Sequence, residues 1–229
     1  MRIAGFAAGA WQTNCWVAST ARDSECIVVD PGMDALEPLR ELLERENLKP
    51  IAVLVTHGHI DHMWSVFPVA DGYDIPAYIH GADVDLLADP MRAVGPQGRM
   101  IIEQMGATFT EPSDVRKLQH GEKLSLAGID LTVHHRPGHT AGSLTFTADA
   151  AEPIMFSGDV LFKNAVGRTD LPSGNPLEMR HSLEAMLANT KDDTIVHCGH
   201  GPSTRFGDER LNNPYLQNLD LVAPVGMGR

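Results

Sequence analysis

The stretch Thr56-His57-Gly58-His59-Ile60-Asp61-His62 constrains this chain more than any other. His57, His59, Asp61 and His62 place four metal-type donors directly after the apolar run Ile51 to Val55. Neutral imidazoles and carboxylates on a short loop are the donors a divalent ion needs. His57 and His59 are two apart, so an extended segment points both the same way. Asp61 and His62 follow where a helix would start, so the chain turns and presents a second pair. One tetrahedral ion has no room for all four plus distant ligands. Two adjacent ions do.

Three further groups stand in matching contexts. His139 lies in Arg136-Pro-Gly-His-Thr-Ala-Gly-Ser143, between two strand patterns. Asp159 ends Phe156-Ser-Gly-Asp159, and His200 lies in Cys198-Gly-His-Gly-Pro202. Each follows an apolar run, and active sites of layered folds collect at strand ends.

The remaining pattern supplies the elements. Met1 to Trp11 and Glu25 to Asp30 read as strands, the second ended by Pro31-Gly32. Asp34 is positioned to cap a helix carrying Leu36, Leu39, Leu42 and Leu43. A strand over 75–79 and a helix near 83–87 precede a Pro- and Gly-containing loop over 89–98. Short strands are expected over 115–118, 123–126, 129–134, 143–147 and 153–156. A helix over 176–187 begins with Pro176, a strand covers 194–197, and 205–219 reads as a closing helix. There is no repeat or linker, so residues 1–229 read as a single domain with halves dividing near 110.

Charge narrows the partners. Thirty acidic against 18 basic residues give −12 at pH 7. Such a surface repels polyanions and anionic membranes, so neither nucleic acid nor a membrane is expected as partner. Cys15, Cys26 and Cys198 form no disulfide framework, and no export signal is visible. A cytoplasmic location follows as the expectation.

Taken together, THGHIDH, PGHTAGS, SGD and GHG resemble the metallo-β-lactamase superfamily. Val28-Val-Asp30-Pro-Gly32, Gly158-Asp-Val-Leu-Phe162, Gly167-Arg-Thr-Asp170, Glu209-Arg210 and Asn213-Pro214 are similar to its small glyoxalase II-like hydrolases. The resemblance implies an α/β (α+β) fold, a four-layer αββα sandwich with a dinuclear site at one edge. It assigns His57, His59 and His139 to one metal, Asp61, His62 and His200 to the other, and Asp159 as the bridge. It places Asp30 behind a ligand imidazole, fixing its tautomer. The ions implied are two divalent metals, zinc first, with iron or manganese as alternatives. Asp61 would orient an attacking hydroxide, and Arg168 would bind an anionic part of the substrate. His80, His120, His134, His135, His181 and His197 match no ligand position.

The activity implied is hydrolysis of a small-molecule S-2-hydroxyacyl thioester. Persulfide dioxygenases with one iron share the HxHxDH run and a similar Gly-Arg-Thr-Asp stretch, so they are an alternative, as is a lactonase. β-Lactamases with a Cys ligand carry it where Asp159 stands here, which fits poorly. Cys198 departs from the Pro common before Gly-His-Gly. Only 29 residues follow His200, whereas classical glyoxalase II has a longer helical region there that holds glutathione. Thiol carrier and oligomeric state stay open.

Overall fold

In a computed structural model the described residues are 1–104 and 106–223. Fourteen strands and seven α-helices alternate with single-turn 3-10 helices. The first sheet holds β1 (Arg2–Ala8), β2 (Thr13–Ser19), β3 (Glu25–Val29), β4 (Lys49–Leu54), β5 (Ala77–His80) and β6 (Val115–Leu118), in that spatial order. Its connections carry α1 (Leu36–Glu46), α2 (Ile60–Met63), α3 (Val66–Tyr73) and α4 (Pro96–Gln104). The second sheet is built from β7 (Lys123–Leu126), β8 (Ile129–His135), β9 (Leu144–Ala148) and β10 (Ile154–Gly158). The hairpin β11 (Leu161–Phe162) and β12 (Ala165–Val166), α5 (Pro176–Asn189), β13 (Ile195–Cys198) and β14 (Thr204–Arg205) follow, with α6 (Phe206–Asn212) and α7 (Pro214–Gln217) at the end. The second sheet runs β14-β13-β10-β9-β8-β7.

Period-two alternation sorts the side chains into layers. Ile27, Val29, Ala52 and Leu54 meet Leu131, Val133, Phe146 and Phe156 between the sheets. Their neighbours Val28 and Val53 point the other way, onto Leu39, Leu42, Leu43, Val66 and Val69 of α1 and α3. Met155 and Val196 leave the second sheet's outer face to meet Met179, Leu183 and Met186 of α5. The result is helix, sheet, sheet, helix, as the family resemblance implied. No helix of the described residues is long and apolar enough to cross a membrane.

Four expectations need correction. Asp34 is not a cap: it sits at φ 57°, and Ala35 precedes α1 with no side-chain cap bond. The 89–98 segment is largely helical, with a 3-10 turn over Pro90–Ala93 and α4 starting at Pro96. The closing helix is broken, because Pro214 cannot continue α6 and Asn213 instead caps α7 through Tyr215 N. The halves divide between β6 and β7, past 118 rather than near 110, since β6 joins the first sheet.

The sequence reading also missed β2, whose first residues are polar. Thr13 and Asn14 are nonetheless buried. Asn14 Nδ2 donates to Cys198 O at 3.0 Å and Gly201 O at 2.8 Å, and Trp16 Nε1 donates to Cys198 O. These bonds tie the first sheet to the loop carrying His200. Asn14→Ala leaves Gly201 O without this donor, so stability should fall by about 1–3 kcal/mol, read from the midpoint of a urea unfolding curve.

Candidate metal centre

The candidate ligands stand just past strand ends on one edge of the two sheets. His57 to His62 follow β4, His139 lies between β8 and β9, and Asp30, which stands behind His62, follows β3. Asp159 and His200 follow β10 and β13. Three overlapping groups result: His57, His59 and His139; His57, His62 and Asp159; and Asp61, His62 and His200. Within each group the donor atoms lie within 4.8 Å of one another. Asp159 lies between the outer groups, with Oδ2 at 3.5 Å from both His139 Nε2 and His200 Nε2.

Hydrogen bonds behind the ligands decide where their lone pairs point. His139 Nδ1 must donate to Arg168 O at 2.8 Å, because a carbonyl only accepts. Its Nε2 lone pair then faces His59 Nδ1, also at 2.8 Å. His62 Nδ1 donates to Asp30 Oδ2 at 2.9 Å, turning Nε2 towards His200 Nε2 at 3.3 Å. Thr56 Oγ1 gives its single proton to Asp30 Oδ2 and so accepts from His57 Nδ1 at 3.1 Å. His57 Nε2 is consequently a bare acceptor.

These residues fit a pair of divalent ions. His57 Nε2, His59 Nε2 and Asp159 Oδ1 are buried without a hydrogen-bond partner. Orphaned polar atoms of this kind are rare in a folded protein and cost free energy unless a ligand meets them. Charge points the same way. Burial pushes His57 well below the ordinary imidazole range, and the neighbouring histidines add to it. His59 is pushed down to about 3 by burial and His139. On the carboxylate side burial opposes charge, yet Asp159 and Asp61 push His200 up to about 10. Asp61, despite burial, is held down to about 2 by His62 and His200. His62, against its burial, is likewise raised well above the ordinary range by Asp159 and Asp61. The carboxylates thus draw positive charge to His62 and His200 while His57 and His59 stay neutral, a division that suits a site holding cations.

Close approach demands glycine at two positions. A Cβ on Gly199 would lie 2.1 Å from Asp159 Oδ1 and 2.7 Å from His62 Cε1. Gly158, at φ 49°, would place one 2.4 Å from Thr56 Oγ1.

Sequence reasoning missed Asp83, which is 1% exposed. It accepts from Gly58 N at 2.9 Å, Thr140 Oγ1 at 2.6 Å and Gly142 N at 2.8 Å. It thereby pins the loop bearing His57 and His59 to the loop bearing His139. Thr13 was missed too; its hydroxyl donates to Asp61 Oδ2 at 3.0 Å. Arg168 is brought to the rim but points its guanidinium at Asp170, at 2.7 and 2.8 Å. Cys198 is fully buried, and burial pushes its thiol up to about 12. Among the unassigned histidines, His197 packs on Trp16 and Phe156.

Beside the ligands lies a cavity of about 290 Å³. Trp11, Ile60, Val94, Ile102 and Leu171 form its apolar wall, with His59, Asp61, His139 and Asp159 at one end.

The sequence profile of the Metallo-beta-lactamase superfamily matches residues 8–200. Hydroxyacylglutathione hydrolase GloC of Haemophilus influenzae is 31% identical over 91% of this chain and 95% of its own length. The crystal structure of BLEG-1 B3 metallo-beta-lactamase superposes with a TM-score of 0.82 at 36% identity, covering 94% of this chain and 99% of that one. TTHA1623 in a di-iron-bound form gives a TM-score of 0.77 at 33% identity, covering 93% and 100%.

Two substitutions test the bracing. Asp30→Ala should weaken metal binding about 10–100-fold, by releasing His62, measured by competition with a chromophoric chelator. Asp83→Ala strands three buried donors and should cost at least about 2 kcal/mol in urea unfolding.

Proposed function

The chain belongs to the metallo-beta-lactamase superfamily, and on that footing we propose that it is a metal-dependent hydrolase of small activated acyl compounds, foremost S-2-hydroxyacyl thioesters. The observation that carries this reading is the convergence of His57, His59, His139, Asp159, Asp61, His62 and His200 beside a cavity of substrate size. In this reading His57, His59 and His139 hold one divalent ion, Asp61, His62 and His200 the other, and Asp159 serves both. Such a pair supplies a water acidic enough to attack near neutral pH and polarises the substrate carbonyl. Zinc is the first expectation; the di-iron form of TTHA1623 supports iron as the alternative.

The protein's own groups then have defined tasks. Asp61, held by Thr13 and facing His200 at 3.1 Å, orients the attacking water. Trp11, Ile60 and Leu171 hold the acyl group against the ligand cluster and exclude bulk water. Water adds to the carbonyl carbon, the C–S bond breaks, and the departing thiolate takes up a proton. No serine or cysteine nucleophile is required, and Cys198 is too buried to act as one.

The cavity also bears on the thiol carrier. Arg168 is the one arginine or lysine of its lining, and Asp170 already engages it. On the segments forming the wall, Arg92 pairs with Asp85 and Arg99 donates to Met91 O. We therefore propose that the carrier is recognised by shape and apolar contact more than by its carboxylates. The BLEG-1 likeness supports a β-lactam as the second substrate class, opened by the same attack on a carbonyl. A one-iron persulfide dioxygenase is disfavoured because Asp61, His62 and His200 come together as a second set.

Purified protein should carry about two metal equivalents and hydrolyse a hydroxyacyl thioester in a reaction abolished by chelation. Asp159→Ala should remove turnover. Metal-loaded protein inert on hydroxyacyl thioesters, or consuming oxygen with glutathione persulfide, would overturn the reading.

A further inference from the structure

Arg136 follows β8, three residues before His139, and faces a different recess from the candidate ligands, in an anomalous environment. It is 8% exposed. Its guanidinium carries five N–H donors, yet its one hydrogen bond among the described residues is Nη1 to His135 O at 3.5 Å. Nε is buried with no partner. Among the described residues no carboxylate pairs with it, and burial acts to weaken its charge. A buried cation without counter-ion or acceptors is strongly disfavoured unless something else supplies them.

The surroundings show what that is. Alternation along β8 puts Thr132, His134 and Arg136 on the sheet face away from the inter-sheet core. These residues line a recess of about 230 Å³ together with Lys123, Thr147 and Lys191. Lys123 Nζ donates to Thr132 Oγ1, and Lys191 pairs with Asp149, the single acid of the lining. Thr145, two residues from Thr147 and on the same face, has a buried hydroxyl without a partner. In a chain of net charge −12, three cations around one acid are a local reversal of sign. At about 230 Å³ the recess is smaller than the cavity beside the candidate ligands. Its donors suit a compact anion with several oxygens.

We propose that this recess is a binding site for a phosphate-type oxyanion, with Arg136 at its floor and Lys123 and Lys191 at its rim. The oxyanion accepts from the outer N–H groups of the guanidinium, and the hydroxyls of Thr132 and Thr147 complete its shell. His134 stands at the wall with Nε2 on Thr147 Oγ1. Burial and the Arg136 charge push His134 down to about 4. A bound anion offsets that charge, so His134 titrates higher when the site is filled. The site does not depend on the hydrolase reading. Its ligand is either free phosphate or the phosphoryl group of a phosphomonoester.

The test titrates inorganic phosphate, and separately glycerol phosphate, into the metal-loaded protein, followed by calorimetry and by amide and imidazole NMR. Saturable binding should shift Thr132, His134 and Thr147 and raise the His134 titration midpoint; the tighter ligand identifies the source. Arg136→Met should weaken this binding at least about tenfold, the loss of a charge-assisted hydrogen bond. If that variant does not fold, Lys123→Ala should still weaken binding, by a smaller factor. Perturbations confined to residues around His57 and His200 would mean phosphate binds only the metal centre, and would sink the proposal. So would recess shifts indifferent to both substitutions.

Discussion

Five imidazoles and two carboxylates crowd into one buried space, and that crowding is unfavourable on its own. His59 Nδ1 faces His139 Nε2 at 2.8 Å, and His62 Nε2 faces His200 Nε2 at 3.3 Å. Two nitrogen lone pairs at such distances repel unless a proton or a cation stands between them. The side chains therefore cannot hold themselves together. The rest of the structure must hold them, from parts of the chain as distant as β2 and β13.

Two carboxylates that bind no metal in this arrangement do much of that holding. Asp30 accepts from Thr56 N, Thr56 Oγ1 and His62 Nδ1. Asp83 accepts from Gly58, Thr140 and Gly142. Each buried carboxylate is satisfied by three donors, so its desolvation is offset by charge-assisted bonds. Each also spans loops that strand order alone leaves free. A loop anchored this way resists the repulsion within the ligand cluster, which keeps the donors converged before any ion arrives.

Legibility followed from which forces act locally. β6 and β7 carry apolar residues bounded by turns, and their limits could be read to the residue. The HxHxDH run could be read because all its donors lie on one loop after one strand. β2 could not, because Thr13 and Asn14 are polar for a tertiary reason: they bond to Asp61 and to the His200 loop. Asp34 carries a cap residue type, but the chain needs a left-handed turn there, which Asp tolerates. Asp83 was invisible because two of its donors are glycine amides, and no side-chain pattern announces a backbone N–H. Asp30 was legible only through resemblance; by itself Asp before Pro31 reads as a turn.

The arginines show why a charge count differs from available charge. Arg168 follows a glycine beside the candidate site and reads as an anion receptor. In the fold Asp170, two residues on, takes both of its inner donors, and the side chain stays largely exposed. Arg136 reads as a loop residue before Pro137-Gly138-His139. In the fold it is buried with no acid of the described residues paired to it, and its charge is the less compensated of the two. An ion pair in water contributes little and is readily exchanged, whereas an uncompensated cation in a recess strongly favours any anion that reaches it. Anion recognition in this molecule is therefore set by burial and pairing, neither of which is a property of the arginine itself.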